Sequence, residues 1–341
     1  MAERPKVCID RILPHELNRP QRMMMTRSGR SRAIIEFRKR WINGSTLHVR
    51  FMGGSPAQQA EVKEQAQWWT EQGKANLRFD FNNAQDAEIR IAFDSNDGAW
   101  SYVGTDCRSI PVNQPTMNLG FMDGGTTAHE FGHAIGLGHE HQNPAGGILW
   151  NSDAVIRDLS GPPNFWTVEQ IQHNVINKYS VDQIRGTDFD RDSIMLYAFP
   201  GSWVQGGQGT NSNEVLSALD KTFIAGHEGY PGAAAPQAVE LPVINLTGTE
   251  AAIASAGEED LFTFTVADAG RHTIETGGQT DVVMKLFGPN SQTNVIAEDD
   301  DGGDGHNSRI VADLTPGKYF VQIRHFNRAQ GTGSYTIRVA R

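Results

Sequence analysis

Three histidines spaced four and six residues apart constrain this chain more than any other feature of its sequence. They are His129, His133 and His139, in the segment HEFGHAIGLGH. On an α-helix, His129 and His133 lie on one face about one turn apart, so both imidazoles can bind one metal ion. Gly136 can adopt the left-handed conformation that ends a helix, which lets the chain turn and bring His139 back as a third ligand. The spacing therefore predicts a zinc site with one open position, as in catalytic zinc sites.

Glu130 directly follows the first histidine, about 100° further around the helix, so its carboxylate can face a metal-bound water instead of the metal. Zinc lowers the pKa of that water to about 7, and Glu130 is predicted to take its proton and pass it to a leaving amine. Two histidines on a helix face are often only a solvated pair, but Glu130, Gly136 and His139 together favour a metal site. His141 is predicted to support this site without binding the metal.

The motif HExxHxxGxxH resembles that of the metzincin metallopeptidases, which also have a tight turn with a methionine beneath the metal. Residues 193–197, SIMLY, resemble this Met-turn. Glu140 directly after the third histidine and Tyr197 two residues after Met195 are similar to the astacin branch. This resemblance implies that Tyr197 can lie on the zinc and stabilise the developing oxyanion, and that Glu140 anchors the mature N-terminus. Leu196 departs from the pattern, since astacins have a histidine there.

Strand and helix signals in the first two thirds of the chain predict an α+β domain, with a twisted mixed sheet behind the zinc helix and the Met-turn. The strand signals lie at Leu47 to Met52, Leu77 to Phe81, Glu88 to Phe93, Trp100 to Thr105 and Thr116 to Phe121. Ser55-Pro56 begins a helix predicted to run to about Gln72, and Thr167 and Ser217 begin two more. The metzincin resemblance implies that the strand near Ser101 to Gly104 is an antiparallel edge that can hold an extended peptide.

The last hundred residues change to short alternating runs such as LFTFTV and KYFVQIR, which predict an all-β sandwich. They resemble the bacterial pre-peptidase C-terminal domain. The 341 residues thus divide into a leader or propeptide (1–31), a metallopeptidase domain (32–231), a linker (232–240) and a β-sandwich (241–341). The tail also contains acidic residues that can bind Ca²⁺ or form a solvated turn, in a spacing unlike that of an EF-hand. These residues are Asp299, Asp300, Asp301 and Asp304.

The two cysteines, Cys8 and Cys107, leave several interpretations open. They can form a disulfide or remain reduced, and Cys8 can instead bind zinc, because a thiolate is a strong zinc ligand. Several metzincins are latent because a leader Cys or Asp lies on the metal, so the resemblance implies this role for Cys8 or Asp10. Cleavage between Arg30 and Ala33 would then activate the enzyme.

Charge and hydropathy limit the partners of this chain. The net charge of −10 and the lack of a large basic patch argue against nucleic acid. The sequence contains no run of eighteen apolar residues, so no membrane span is predicted. Residues 1–16 lack the apolar core of a signal peptide. The resemblance nevertheless implies a secreted or extracellular protein.

The predicted function is that of a zinc metalloendopeptidase that acts on proteins or peptides and is latent until N-terminal processing. The alternative from another class is a binding protein with an inactive zinc site, which attaches to a surface or carbohydrate through its β-sandwich. The intact Glu130 favours the enzyme, because a structural zinc needs no carboxylate there.

Overall fold

The computed structural model describes residues 9–11, 13, 35–36, 39–144, 146–161, 165–178, 184–185, 189–226, 228–232, 238–243, 247–328 and 330–341. The chain divides into two units, Met1–Ala233 and Ala234–Arg341, each with a hydrophobic core of its own. No helix in the described part of the chain is long and apolar enough to cross a membrane.

Most strands of the first unit form one mixed sheet. The strands of this unit are β1 (Ile9–Arg11), β2 (Ile35–Glu36), β3 (Thr46–Phe51), β4 (Arg78–Asp80), β5 (Ile89–Ala92), β6 (Ala99–Tyr102), β7 (Met117–Leu119) and β8 (Ile184–Arg185). The sheet has the order β1-β6-β7-β5-β3-β4, while β2 pairs with β8. All neighbours in the sheet are parallel except β6 and β7, which are antiparallel. The predicted mixed sheet is thus confirmed.

The helices of the first unit pack around this sheet. They are α1 (Pro56–Gln67), α2 (Thr126–Ala134), α3 (Ser152–Leu159), α4 (Val168–Ile171) and α5 (Ala218–Ala225). Helices α1, α4 and α5 begin after Ser55, Thr167 and Ser217, as predicted, and each begins with a capping box. Helix α1 ends at Gln67, earlier than predicted, and Gln72 has a left-handed φ of 55°, which an α-helix does not allow. A π-helical segment, Gln172–Ile176, follows α4 directly.

One prediction about the sheet was wrong. The strand near Ser101 does run antiparallel to β7, but it is not the edge of the sheet, because β1, in the predicted leader, pairs with its other side. Ile9 lies opposite Trp100, and Arg11 lies opposite Tyr102. The resemblance implied an edge strand at this position, whereas residues 9–11 add a further strand beside it.

The second unit is the predicted β-sandwich. Its strands are β9 (Val239–Glu240), β10 (Thr249–Ile253), β11 (Glu259–Val266), β12 (Gly270–Gly278), β13 (Val282–Phe287), β14 (Val295–Asp299), β15 (Arg309–Leu314), β16 (Gly317–His325) and β17 (Gly333–Ala340). One sheet has the order β10-β17-β12-β15 and the other β14-β13-β16-β11-β9. Side chains from both sheets, including Phe264 and Ile337, share one core, as alternating inward positions require.

Candidate metal centre

Helix α2 carries the first two histidines and is held by buried hydrogen bonds. Its N-cap residue is Gly125, which has no side chain to cap the helix. Instead, the side chain of Gln65 in α1 accepts a hydrogen bond from Ala128 N at 3.1 Å. The indole nitrogen of Trp69 donates to the carbonyl of Ala128 at 2.7 Å, and that of Trp41 donates to the carbonyl of Ala134 at 2.8 Å. Carbonyls near the C-terminus of a helix lack a partner within it, so the second bond supplies one. The helix is therefore fixed at both ends.

The three histidines of the motif meet at one point. Nε2 of His133 lies 3.0 Å from Nε2 of His129 and 3.1 Å from Nε2 of His139. All three side chains are buried. Gly136 has a φ of 98°, the left-handed conformation predicted for it, and the chain turns there so that His139 returns to the helix.

The hydrogen bonds of the rings determine where their lone pairs point. Nδ1 of His129 lies 2.7 Å from the carbonyl oxygen of Ile194, and Nδ1 of His133 lies 2.8 Å from that of Leu137. A carbonyl only accepts, so both Nδ1 atoms donate and the neutral rings carry their lone pairs at Nε2. Converging lone pairs need a cation between them, so these residues fit a metal ion. Three imidazoles, two of which have a carbonyl acceptor at Nδ1, suit Zn²⁺.

In the described part of the chain, only one group of three or more His, Cys, Asp or Glu residues brings its ligand atoms within 4.8 Å of one another. That group is His129, His133 and His139. Asp299, Asp300, Asp301 and Asp304 form no such group. Instead, Oδ2 of Asp299 accepts hydrogen bonds from Gly302 N at 2.9 Å and Arg309 N at 2.7 Å. This carboxylate closes its own turn, so the structure does not support the predicted calcium site.

Glu130 lies within α2, next to the first ligand, and its side chain is 0% exposed. A buried carboxylate is costly unless a positive charge or hydrogen-bond donors compensate it. A cation on the neighbouring imidazoles would supply that charge. The burial of Glu130 therefore agrees with a carboxylate that works beside a metal.

The Met-turn packs directly on the zinc helix at Gly132. A Cβ atom at Gly132 would lie 2.4 Å from Sδ of Met195 and 3.0 Å from Cζ2 of Trp69. Met195 is buried, and the turn is closed by a hydrogen bond from Leu196 N to the carbonyl of Ser193 at 3.1 Å. The sequence predicted a methionine beneath the metal but missed Gly132, because only the packing shows that no side chain fits there.

Tyr197 and His141 both lie against the third histidine. The hydroxyl of Tyr197 contacts Nε2 of His139, and the two ring centroids are 4.3 Å apart. The ring of His141 stacks on His139 with centroids 5.1 Å apart, and its Nε2 donates to the carbonyl of Asn174 at 2.9 Å. Tyr197 thus has its hydroxyl at the nitrogen of His139 that faces the other two histidines, whereas Nε2 of His141 is bonded to a backbone carbonyl.

Glu140 belongs to a group of acidic side chains behind the triad. Burial raises the pKa of Glu140 to about 8, although hydrogen bonds from Asp190 N and the Asn143 side chain act in the opposite direction. Burial also raises the pKa of Asp220, and the charge of Asp190 adds to the effect in both cases. A cation that enters this group would be stabilised by it.

Strand β1, in the predicted leader, is attached to the rest of the first unit by more than backbone pairing. The guanidinium of Arg11 donates to both carboxylate oxygens of Asp97, at 2.9 and 3.0 Å, and lies 4.3 Å from the centroid of the Trp100 ring. Leu13, two residues further on, is buried. Arg11 therefore contacts β6 through its side chain as well as through strand pairing.

The residues proposed for latency are described only in part. The backbone of Asp10 lies opposite Ser101. Cys8, the side chain of Asp10 and the predicted cleavage region from Arg30 to Ala33 lie outside the described residues. Cys107 is buried with a free thiol, and burial raises its pKa, so it is unreactive.

Two family models match the chain. The model of the astacin peptidase family matches residues 33–210, which are 178 of 341 residues, and the bacterial pre-peptidase C-terminal domain matches residues 258–325. No curated protein matches the chain.

Two solved structures of myroilysin are similar to the chain. One is 37% identical, covers 58% of this chain and 98% of its own, and has a TM-score of 0.54. The other is 34% identical, covers 67% of this chain and 92% of its own, and has a TM-score of 0.49.

Proposed function

The chain belongs to the astacin family of peptidases, and from this we propose that it is a zinc-dependent endopeptidase. One observation carries the proposal: the Nε2 atoms of His129 and His139 lie 3.0 and 3.1 Å from Nε2 of His133, beside the helix that also contains the buried Glu130. His129, His133 and His139 would hold the zinc.

The side chains around the triad have complementary tasks. When bound, zinc lowers the pKa of a coordinated water to about 7 and polarises the substrate carbonyl. The Glu130 carboxylate takes a proton from the attacking water and passes it to the nitrogen of the leaving amine. The Tyr197 hydroxyl, which lies at His139 Nε2, donates a hydrogen bond to the oxygen on which negative charge develops.

Strand β6 is the proposed binding site for the substrate backbone. It packs on α2, so a peptide paired with β6 lies next to the helix that carries Glu130. Pairing with a strand recognises the backbone of an extended segment and needs no chain terminus. We therefore expect cleavage within protein or peptide chains.

The same strand supports the proposal that the full chain is latent. Residues 9–11 occupy the side of β6 that a substrate would need, and Arg11 fixes them through Asp97 and Trp100. Cys8 directly precedes this strand, and we propose that Cys8 or Asp10 adds a ligand to the zinc. Cys107 is a buried free thiol, which favours a role for Cys8 other than a disulfide.

Activation would require removal of the leader near Arg30 to Ala33. The new amino group would carry a positive charge, and the acidic group of Glu140, Asp190 and Asp220 is suited to bind it. We accordingly propose residues 1–31 as the leader, 32–231 as the peptidase domain, 232–240 as the linker and 241–341 as the β-sandwich. Family resemblance also favours action outside the cell.

The function is tested by hydrolysis of casein by the full chain, before and after limited tryptic cleavage of its leader. Activity should disappear with a chelator and return with zinc. Glu130→Gln should lower kcat by at least about a hundredfold, the typical contribution of a general base, while zinc content is unchanged. Glu64→Gln, at an exposed glutamate of α1, is the matched control and should retain full activity.

Two results would contradict the proposal. Full zinc-dependent cleavage by Glu130→Gln would rule out the assigned base. A trypsin-treated wild-type chain that binds zinc but cleaves no protein would favour the alternative of a binding protein with an inactive zinc site.

A further inference from the structure

The Met-turn is connected to the last helix of the first unit through one buried carboxylate. Asp220, in the first turn of α5, is 2% exposed. Its Oδ1 accepts a hydrogen bond from the Ser193 hydroxyl at 2.7 Å, and its Oδ2 accepts one from Ile194 N at 2.9 Å. Ser193 and Ile194 are the first two residues of the Met-turn, so Asp220 binds the turn where it begins.

The connection continues from the Met-turn to the zinc helix. The carbonyl oxygen of Ile194 accepts the hydrogen bond from Nδ1 of His129 at 2.7 Å. Ile194 therefore donates to Asp220 through its amide and accepts from His129 through its carbonyl. The Ser193 hydroxyl, which donates to Asp220, accepts from Met195 N at 3.0 Å. A shift of Ile194 would change both the position of Met195 and the orientation of the His129 ring.

Asp220 is itself held rigidly. Its backbone amide donates to the Ser217 hydroxyl at 2.9 Å, and its Oδ2 accepts from Ser217 N at 2.9 Å, which forms the capping box of α5. The carboxylate thus accepts three hydrogen bonds, two from the Met-turn and one from its own helix. An N3 carboxylate in a capping box needs only the last of these, so the other two have no role in starting the helix.

We propose that Asp220 is a positioning residue for the zinc site, which acts through Ile194 to fix the tautomer and orientation of His129. The inference rests on the proposed function only in assigning the metal to the triad. Partners that orient a ligating histidine typically contribute tenfold to a hundredfold to metal affinity. Asp220→Ala removes the acceptor of Ile194 N and should weaken zinc binding by that factor.

Two further substitutions separate this role from helix capping. Ser217→Ala removes the hydroxyl that caps α5 but keeps the carboxylate of Asp220 on the Met-turn, so zinc affinity should stay within about threefold of wild type. In Asp220→Asn, the new side-chain oxygen can accept from Ile194 N, and the new side-chain NH₂ can donate to the Ser193 hydroxyl. This variant should therefore keep most of the zinc affinity that Asp220→Ala loses. Ser193→Ala removes the hydrogen bond from the Ser193 hydroxyl to Asp220 but keeps the one from Ile194 N, so it should lower zinc affinity several-fold. This variant replaces Asp220→Ala in the experiment if Asp220→Ala does not fold.

The experiment measures zinc affinity of the full chain by competition with a chelator, together with the visible spectrum of the cobalt-substituted protein. Asp220→Ala should bind zinc at least tenfold more weakly than wild type and shift the cobalt bands, since ligand orientation changes. Wild-type affinity and an unchanged spectrum in both Asp220→Ala and Ser193→Ala would overturn the inference. An equal loss in Ser217→Ala would also overturn it, because the effect would then come from α5 alone. A wild-type chain without zinc affinity would instead refute the metal assignment.

Discussion

Gly132 and Met195 should be energetically coupled, because a Cβ atom at Gly132 would lie 2.4 Å from the Met195 sulfur. Gly132→Ala gains about 1 kcal/mol in helix propensity. Overpacking a core costs about 1–3 kcal/mol, and Met195 and Trp69 are both buried, so neither side chain can move into solvent. The overpacking term outweighs the propensity term, and Gly132→Ala should lower the free energy of unfolding by about 1 kcal/mol.

A second substitution shows whether the sulfur is the cause. Met195→Ala alone should cost about 2–5 kcal/mol, because it leaves a cavity beside α2. In the double variant, the new methyl group at residue 132 enters that cavity. The double variant should therefore be more stable than the sum of the two single effects predicts, by about 0.5–3 kcal/mol.

Tryptophan fluorescence during urea unfolding is a suitable assay, since all seven tryptophans lie before residue 234 and report on the first unit alone. The zinc concentration must be constant, because metal binding adds to apparent stability. Gly147→Ala is the control, since nothing lies within 4 Å of its added Cβ, and should change stability by less than about 0.5 kcal/mol. Additivity of Gly132→Ala and Met195→Ala within about 0.5 kcal/mol would refute the packing argument.

Three further predictions concern the leader and the second unit. Limited tryptic removal of the leader should raise the rate of casein hydrolysis at least tenfold, because residues 9–11 then leave β6; an unchanged rate would contradict latency. The intact chain with Cys8→Ala and Asp10→Ala should be more active on casein than the intact wild type, and equal activity would rule out latency through these residues. Burial raises the pKa of Asp260, so this carboxyl group stays protonated to a higher pH in the folded protein than in the unfolded chain. The free energy of unfolding should therefore decrease as pH rises from the ordinary Asp pKa of about 3.9 through the raised pKa. Asp260→Asn should reduce this loss in calorimetric unfolding at several pH values, whereas an equally steep loss would show that another group causes it.

The zinc ligands could be predicted without a structure because their arrangement is local. His129 and His133 are one helical turn apart, and Gly136 has the left-handed φ that its position after the helix suggested. The sandwich could also be predicted, since alternation along each strand requires only that one face be buried. In each case the decisive interaction joins residues that are near in sequence or repeat with a fixed period.

The supports of the site could not be predicted in this way, because they join residues far apart in the chain. Asp220 is 26 residues from Ile194, and Gln65 is 63 residues from Ala128. In each pair, a side-chain oxygen accepts a hydrogen bond from the distant backbone amide. Ser217 was predicted to begin a helix, but that prediction does not indicate that the carboxylate of Asp220 also binds the Met-turn. Gly132 is one of many glycines until Met195 is placed against it.

The leader shows the same division. Its polar and basic composition indicated a segment outside the catalytic domain, but composition contains no information about pairing. Only the tertiary structure places residues 9–11 on β6 and makes the predicted edge strand an inner strand. Local spacing thus determines which side chains can bind a metal, whereas long-range packing determines what orients them and what covers the strand beside them, because contacts between distant segments depend on the whole chain having folded.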